Sequence, residues 1–135
     1  MKPMVYTRRR EKDKLLIAMA AIGLGNSIVD VSGETILQRL TPDAVLPSRA
    51  HATDAGLDLV SRIEVTIMPG ERVRVPTGIA VEIPDGWCGL VCPRSGLADR
   101  HGIGVVNGPG VIDAGYRGEV QVVLVNHDLH TTCDI

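Results

Sequence analysis

The sequence contains no phenylalanine, one tryptophan and two tyrosines in 135 residues. A surface that stacks single-stranded nucleic acid needs several rings, so this scarcity excludes that class. Charge of one sign is also missing. The formal net charge is -2 and no basic stripe follows residue 40, which excludes a polyanion binder held by general electrostatics. The apolar run Leu15 to Gly25 falls far short of the ~20 residues that cross a bilayer. No Cys-x-x-Cys pair exists among Cys88, Cys92 and Cys133, so a zinc ribbon is excluded. Cys88 and Cys92 lie four apart in a predicted strand and share a face. Reduced, partly buried thiols and a cytoplasmic location are expected.

What is present divides the chain. Residues 1–33 are expected to be an extension outside the main domain, disordered or forming a short helix. The charged run Arg8 to Lys14 precedes Leu15 to Gly25, and a basic start before a short apolar stretch resembles a secretory signal, with small residues at Ala18 and Ala20 for cleavage. A short helix packed on the body, or residues added by an upstream start codon, are the alternatives. A dispensable extension agrees best with the cytosolic chemistry developed below.

Residues 34–135 read as one domain, long enough to bury a core. Period-two alternation predicts strands at Ile36 to Leu40, Gly56 to Val60, Glu64 to Met68, Arg72 to Val75, Ile79 to Ile83 and Trp87 to Cys92. Pro69-Gly70, Pro84-Asp85-Gly86 and Asn107-Gly108-Pro109-Gly110 are turn signals between them. No long amphipathic helix is expected. Strands at this spacing predict an all-β sandwich, jelly roll or barrel. Val120 to Val125 is apolar on both faces except for Gln121, as in a central strand or one buried against a neighbouring subunit.

Three segments carry chemistry. In Gly110 to Glu119, Asp113 and Tyr116 stand three apart in a glycine-bounded turn, a base and a ring suited to water activation beside a flat substrate. The glycines before it, Gly102 to Gly110, have no Gly-Lys-Ser/Thr ending and read as hairpin geometry. In Pro93 to Ala98, Pro93 ends a strand and Arg94, Ser95 and Gly96 follow in a turn. A guanidinium fork, a hydroxyl and a bare amide are what a phosphate chain needs, although such tripeptides are common in ordinary loops. In Asp54 to Leu59, Asp54 reads as a solvated edge residue. Asp58 is exposed or lines a metal–phosphate site through water. His127 and His130 have chelating spacing, yet a solvated turn is the better reading.

In this order and spacing, the three segments closely resemble the trimeric dUTPases, from about Thr35 to Ile135. Leu46 to His51 resembles the actinobacterial branch. The resemblance implies a distorted β-barrel or jelly roll, dUTP as substrate, dUMP as product and Mg²⁺ as cofactor. It implies a homotrimer whose active sites are shared between subunits, and no nucleic-acid or membrane partner. Asp113 falls on the carboxylate that deprotonates water, Tyr116 on the ring against the deoxyribose, and Asn107 on the side chain reading the uracil edge. Backbone at Val111, Ile112, Asp113 and Gln121 falls where the family holds sugar and base. Arg94, Ser95 and Gly96 fall on the phosphate turn, and Asp58 on an acid holding Mg²⁺ through water.

The family continues with a fourth motif and a glycine-rich fifth motif that closes over the nucleotide, and neither follows here. Impaired turnover and an incomplete barrel with an exposed edge are therefore expected. A non-catalytic dUTP-binding or regulatory module is the alternative. A dCTP deaminase of the same fold fits less well, because Val120 to Asn126 holds no glutamate.

Overall fold

The computed structural model describes residues 19–23, 28–29 and 36–135, with side chains from residue 37 onward. Its strands are β1 (Met19–Gly23), β2 (Ile28–Val29), β3 (Ile36–Arg39), β4 (Thr66–Ile67), β5 (Arg72–Glu82), β6 (Trp87–Val91), β7 (Ile103–Val105), β8 (Gly110–Asp113), β9 (Glu119–Asn126) and β10 (Cys133–Asp134). Among the described residues one short helix, α1 (Ser95–His101), joins β6 to β7. Two four-stranded sheets, ordered β2-β1-β6-β8 and β3-β5-β9-β7, carry the fold, with a two-stranded sheet β10-β4 beside them. Every pairing between these strands is antiparallel. The all-β expectation is met, in the jelly-roll manner.

The core lies where the inward faces of both large sheets meet. Leu59, Ile67, Val75, Ile79, Val81, Val122 and Leu124 are fully buried there. Removing each such side chain from water stabilises the fold by about 1.5–3 kcal/mol. In β9, Val120, Val122, Leu124 and Asn126 point inward while Val123 and Val125 are half-buried on the outer face. This is the central strand expected from its composition, flanked by β5 and β7.

Several sequence expectations are corrected. Gly56 to Val60 is no strand; only an isolated bridge joins Ser48 to Asp58. The two strands expected at Arg72 to Val75 and Ile79 to Ile83 are one, β5, whose register against β9 shifts between Pro76 and Ala80. Pro76 and Gly78 look like a break in the sequence, but the chain bulges and continues. Gly78 has φ +70°, and a Cβ there would come within 2.4 Å of Arg62 and 2.8 Å of Ala44. Buried Thr77 secures the bulge: its Oγ1 donates to the Val120 carbonyl at 2.6 Å and accepts the Ile79 N–H at 3.2 Å.

Within the extension, Met19–Gly23 is a strand paired to β6 and Ile28–Val29 a short strand, while the rest of residues 1–33, with the signal-like charged run and the possible short helix, lies outside the described residues. Arg94 to Gly96 opens a helix rather than a turn alone. Pro93 stops the β6 ladder, α1 follows, and Gly102 in the left-handed conformation ends it by donating to the Ala98 and Leu97 carbonyls.

Candidate active site

The glycines around residue 108 do not make a hairpin. β7 pairs with β9 and β8 pairs with β6, so the loop Val106 to Pro109 carries the chain from one large sheet to the other. The turn Ala114 to Gly118 carries it back. Among the described residues, this double crossing leaves two backbone edges without a strand partner. β8 bonds to β6 along one edge only, as the last strand of its sheet. β7 reaches β9 at Leu124, Val125 and Asn126, and the Val106 N–H adds a bond to the Val123 carbonyl. The N-terminal half of β9 is left open on that side.

A cleft of about 210 Å³ lies between these two edges. Its floor is apolar (Val91, Val105, Val120 and Val122). Its walls carry Asn107, Val111, Ile112, Asp113, Tyr116, Glu119 and Gln121. Open strand edges offer their unpaired N–H and C=O groups to a ligand. A flat ring with donors and acceptors on its rim fits such a slot.

Side chains at the mouth are fixed locally. The Tyr116 N–H donates to the Asp113 carbonyl at 3.0 Å, closing the turn. The Tyr116 hydroxyl donates to the Glu119 carbonyl at 2.7 Å, and the ring folds back over Gly118, where a Cβ would sit 2.6 Å from that hydroxyl. Arg117 donates to the carbonyls of Ala114 and Tyr116. Its 3.7 Å contact with Glu82 joins two exposed side chains and adds little. Asp113 is exposed at the end of β8, where its cross-strand neighbour is Cys88. Asp113 is one of the residues lining the cleft.

Of the residues singled out in the sequence, Asn107, Val111, Ile112, Asp113, Tyr116 and Gln121 come together in this one cleft. Asp58, Arg94, Ser95 and Gly96 are not among its lining. Asp58 is half-buried, held through its backbone N–H to the Ser48 carbonyl at 2.8 Å. Arg94 and Ser95 are exposed at the start of α1. Two further features have no role in the motifs. Glu119 lines the cleft, and period-two alternation places it on the same face of β9 as Gln121, a signal present in the sequence. The second is a bracket around Asp54, which accepts the His51 N–H at 2.8 Å and the His51 ring at 3.2 Å. Arg49 Nε donates to the Asp54 carbonyl there.

Among the described residues no three His, Cys, Asp or Glu side chains are grouped to hold a metal. His127 and His130 are exposed. The Asp128 carboxylate between them accepts the His130 and Thr131 N–H groups, which hold its pKa below the ordinary carboxylate value. Cys88 and Cys92 are half-buried free thiols, while burial pushes the Cys133 thiol up. Among the described residues, no helix is long and apolar enough to cross a membrane.

Fold and cleft together define an all-β protein with a cleft between strand edges, lined in part by the exposed residue Asp113. The chain belongs to the dUTPase family, whose model matches residues 43–132. It is 59% identical over 97 residues to the deoxyuridine 5'-triphosphate nucleotidohydrolase of Mycolicibacterium gilvum, covering 72% of this chain and 63% of that one. The corresponding protein of Rhodococcus erythropolis is 56% identical over 99 residues, covering 73% and 60%. The chain thus spans about 60% of the length of these curated relatives. Among solved structures, it is similar to a variant dUTPase from phage phi11 of Staphylococcus aureus, described with a structural Mg(II) ion. That match has 33% identity and a TM-score of 0.67, and covers 73% of this chain and 63% of that one. A variant of the bacteriophage 80alpha dUTPase, solved with dUpNHpp, matches with 33% identity, the same TM-score, and coverage of 73% and 62%.

Proposed function

We propose that this chain binds dUTP and hydrolyses it to dUMP and pyrophosphate, as one subunit of a cytoplasmic homotrimer. The observation that carries this reading is the cleft between β8 and the open half of β9, with Asp113 and Tyr116 among the residues that line it.

Uracil enters the slot as a short substitute strand. Its rim bonds to backbone at Val111, Ile112 and Gln121 and to the Asn107 amide. Such a site leaves buried groups unpaired against cytosine, a discrimination on the order of 10⁴-fold. Tyr116 packs against the deoxyribose, where it crowds out a 2'-hydroxyl. Asp113 takes a proton from water as the water oxygen bonds to the α-phosphorus. The bond from that phosphorus to the bridging oxygen breaks, and pyrophosphate leaves with the electron pair. A positioned base contributes about 10²–10⁴-fold.

Arg94, Ser95 and Gly96 supply donors to the phosphates and Asp58 an outer carboxylate. None of the four lines the Asp113 cleft, which supports a site completed by a neighbouring copy. A single half-buried acid suits a hydrated Mg²⁺ carried in by a phosphate chain better than a preformed cage would. When bound, that ion neutralises charge on the phosphates.

The test is Asp113→Asn. It is expected to abolish pyrophosphate release from dUTP while dUpNHpp still binds within about threefold of wild type, since one neutral amide replaces a carboxylate that touches water rather than base. Undiminished release would refute the assignment.

A further inference from the structure

Glu119 holds three things at once. Its main-chain carbonyl accepts the Tyr116 hydroxyl at 2.7 Å, its Oε1 accepts the Gly78 N–H of the β5 bulge at 2.7 Å, and its Oε2 accepts Gln121 Nε2 at 2.8 Å. We propose that Glu119 is a positioning residue that fixes the Gln121 amide so that its carbonyl oxygen is the acceptor offered to a nucleotide donor in the cleft. The inference rests on the nucleotide reading above and adds a side-chain determinant to it.

Donor and acceptor chemistry dictates the orientation. A primary amide has two faces of opposite character, and left to itself Gln121 presents either one. A carboxylate accepts and does not donate, so only the nitrogen of Gln121 can turn towards Glu119. Glu119 in turn has little freedom, because its other oxygen is tied to Gly78, a residue buried in the β5 bulge. The chain of constraint therefore runs from a rigid backbone bulge, through a carboxylate, to one orientation of an amide on the cleft wall. Oε1 of Gln121 is left as the only acceptor that amide offers. The matching ligand group is a hydroxyl or ring N–H of the nucleotide.

Glu119→Gln keeps both neighbours bonded but reverses the outcome. The substituted amide would accept from Gly78 through its oxygen and donate through its nitrogen to Gln121, which must turn its oxygen inward and its nitrogen to the ligand. The double variant Glu119→Gln/Gln121→Glu restores the polarity: the nitrogen at 119 donates to one oxygen at 121, and the other oxygen is again an acceptor. Calorimetric titration with dUMP is expected to show about a tenfold loss of affinity for the single variant, with an unchanged melting temperature. Most of the loss should return in the double variant. With 2',3'-dideoxyuridine monophosphate, a loss that vanishes identifies the sugar hydroxyl as the donor; a loss that persists identifies the base N–H.

A single variant that binds dUMP as wild type does, or a double variant no better than the single, overturns the inference. Hydrogen exchange at the Gln121 side-chain amide, read by ¹⁵N NMR without nucleotide, separates this from the function itself. Protection in wild type that disappears in Glu119→Gln supports the fixed orientation. An unprotected wild-type amide refutes it, whatever binds. Wild-type protein that binds no dUMP refutes the nucleotide reading and the ligand half of this inference with it.

Discussion

Thr77 shows how a buried side chain of modest size shapes the site from behind. Its hydroxyl bridges the Val120 carbonyl and the Ile79 amide, and it has no exposed surface. Valine has nearly the same shape and no hydrogen-bonding group, so Thr77→Val would remove both of these buried hydrogen bonds. A loss of about 1–3 kcal/mol is expected, read as a lower urea midpoint at unchanged slope. A midpoint equal to wild type would mean that the bulge does not depend on this hydroxyl. Asn126 plays a similar part at the far end of β9, donating to the Ile67 and Thr131 carbonyls and accepting the Asp128 amide.

At the scale of elements, the turn between β8 and β9 decides where the ring goes. Tyr116 is pinned by its hydroxyl to Glu119 and lies against Gly118. Gly118→Ala would place a methyl 2.6 Å from the hydroxyl oxygen, so the ring must swing outward while the core stays intact. The expected result is an unchanged melting temperature and nucleotide affinity about tenfold weaker, the scale of one lost hydrogen bond and its packing. Retained affinity would show that the ring position does not matter. Much of this element was legible in advance: Gly110 to Glu119 announced itself through a carboxylate and a ring in a chain nearly devoid of rings. The error lay in topology. Turn residues look alike whether the next strand pairs with its predecessor or crosses to another sheet, because φ preferences encode the bend and not the destination. The bulge in β5 was missed for a related reason: proline and glycine within three residues mark an interruption, and only the partner strand decides whether pairing resumes. The cap of α1 was visible in Arg100, His101 and Gly102, a basic last turn followed by glycine. Period-two reading concealed it.

For the molecule as a whole, the four residues absent from the Asp113 cleft are the informative ones. If phosphate donors at Arg94 to Gly96 serve a cleft on another copy, two inactive variants can repair each other. Asp113→Asn and Arg94→Ala subunits, unfolded together and refolded at equal ratio, would place intact partners together at random in about a quarter of sites. Pyrophosphate release should recover to about that fraction of wild type, and light scattering should report three chains per particle. No recovery from a mixed, trimeric sample would locate all the working groups within one subunit. Of the residues singled out in the sequence, Asn107, Val111, Ile112, Asp113, Tyr116 and Gln121 line one cleft. That active sites are shared between subunits was implied by the family resemblance and not by the spacing itself, since spacing along a chain carries no information about copies.

The slot between β8 and β9 has one further consequence. Unsatisfied strand rims usually invite other polypeptides to zip on, the route to aggregation. Here the free rail is four residues long, about 13 Å at the usual rise per residue, and Tyr116 stands in the turn that follows it. An invading peptide would find too little length to hold. On the proposed function a single heterocycle finds enough, so the shortness of this rail would set the size of guest that the cleft accepts.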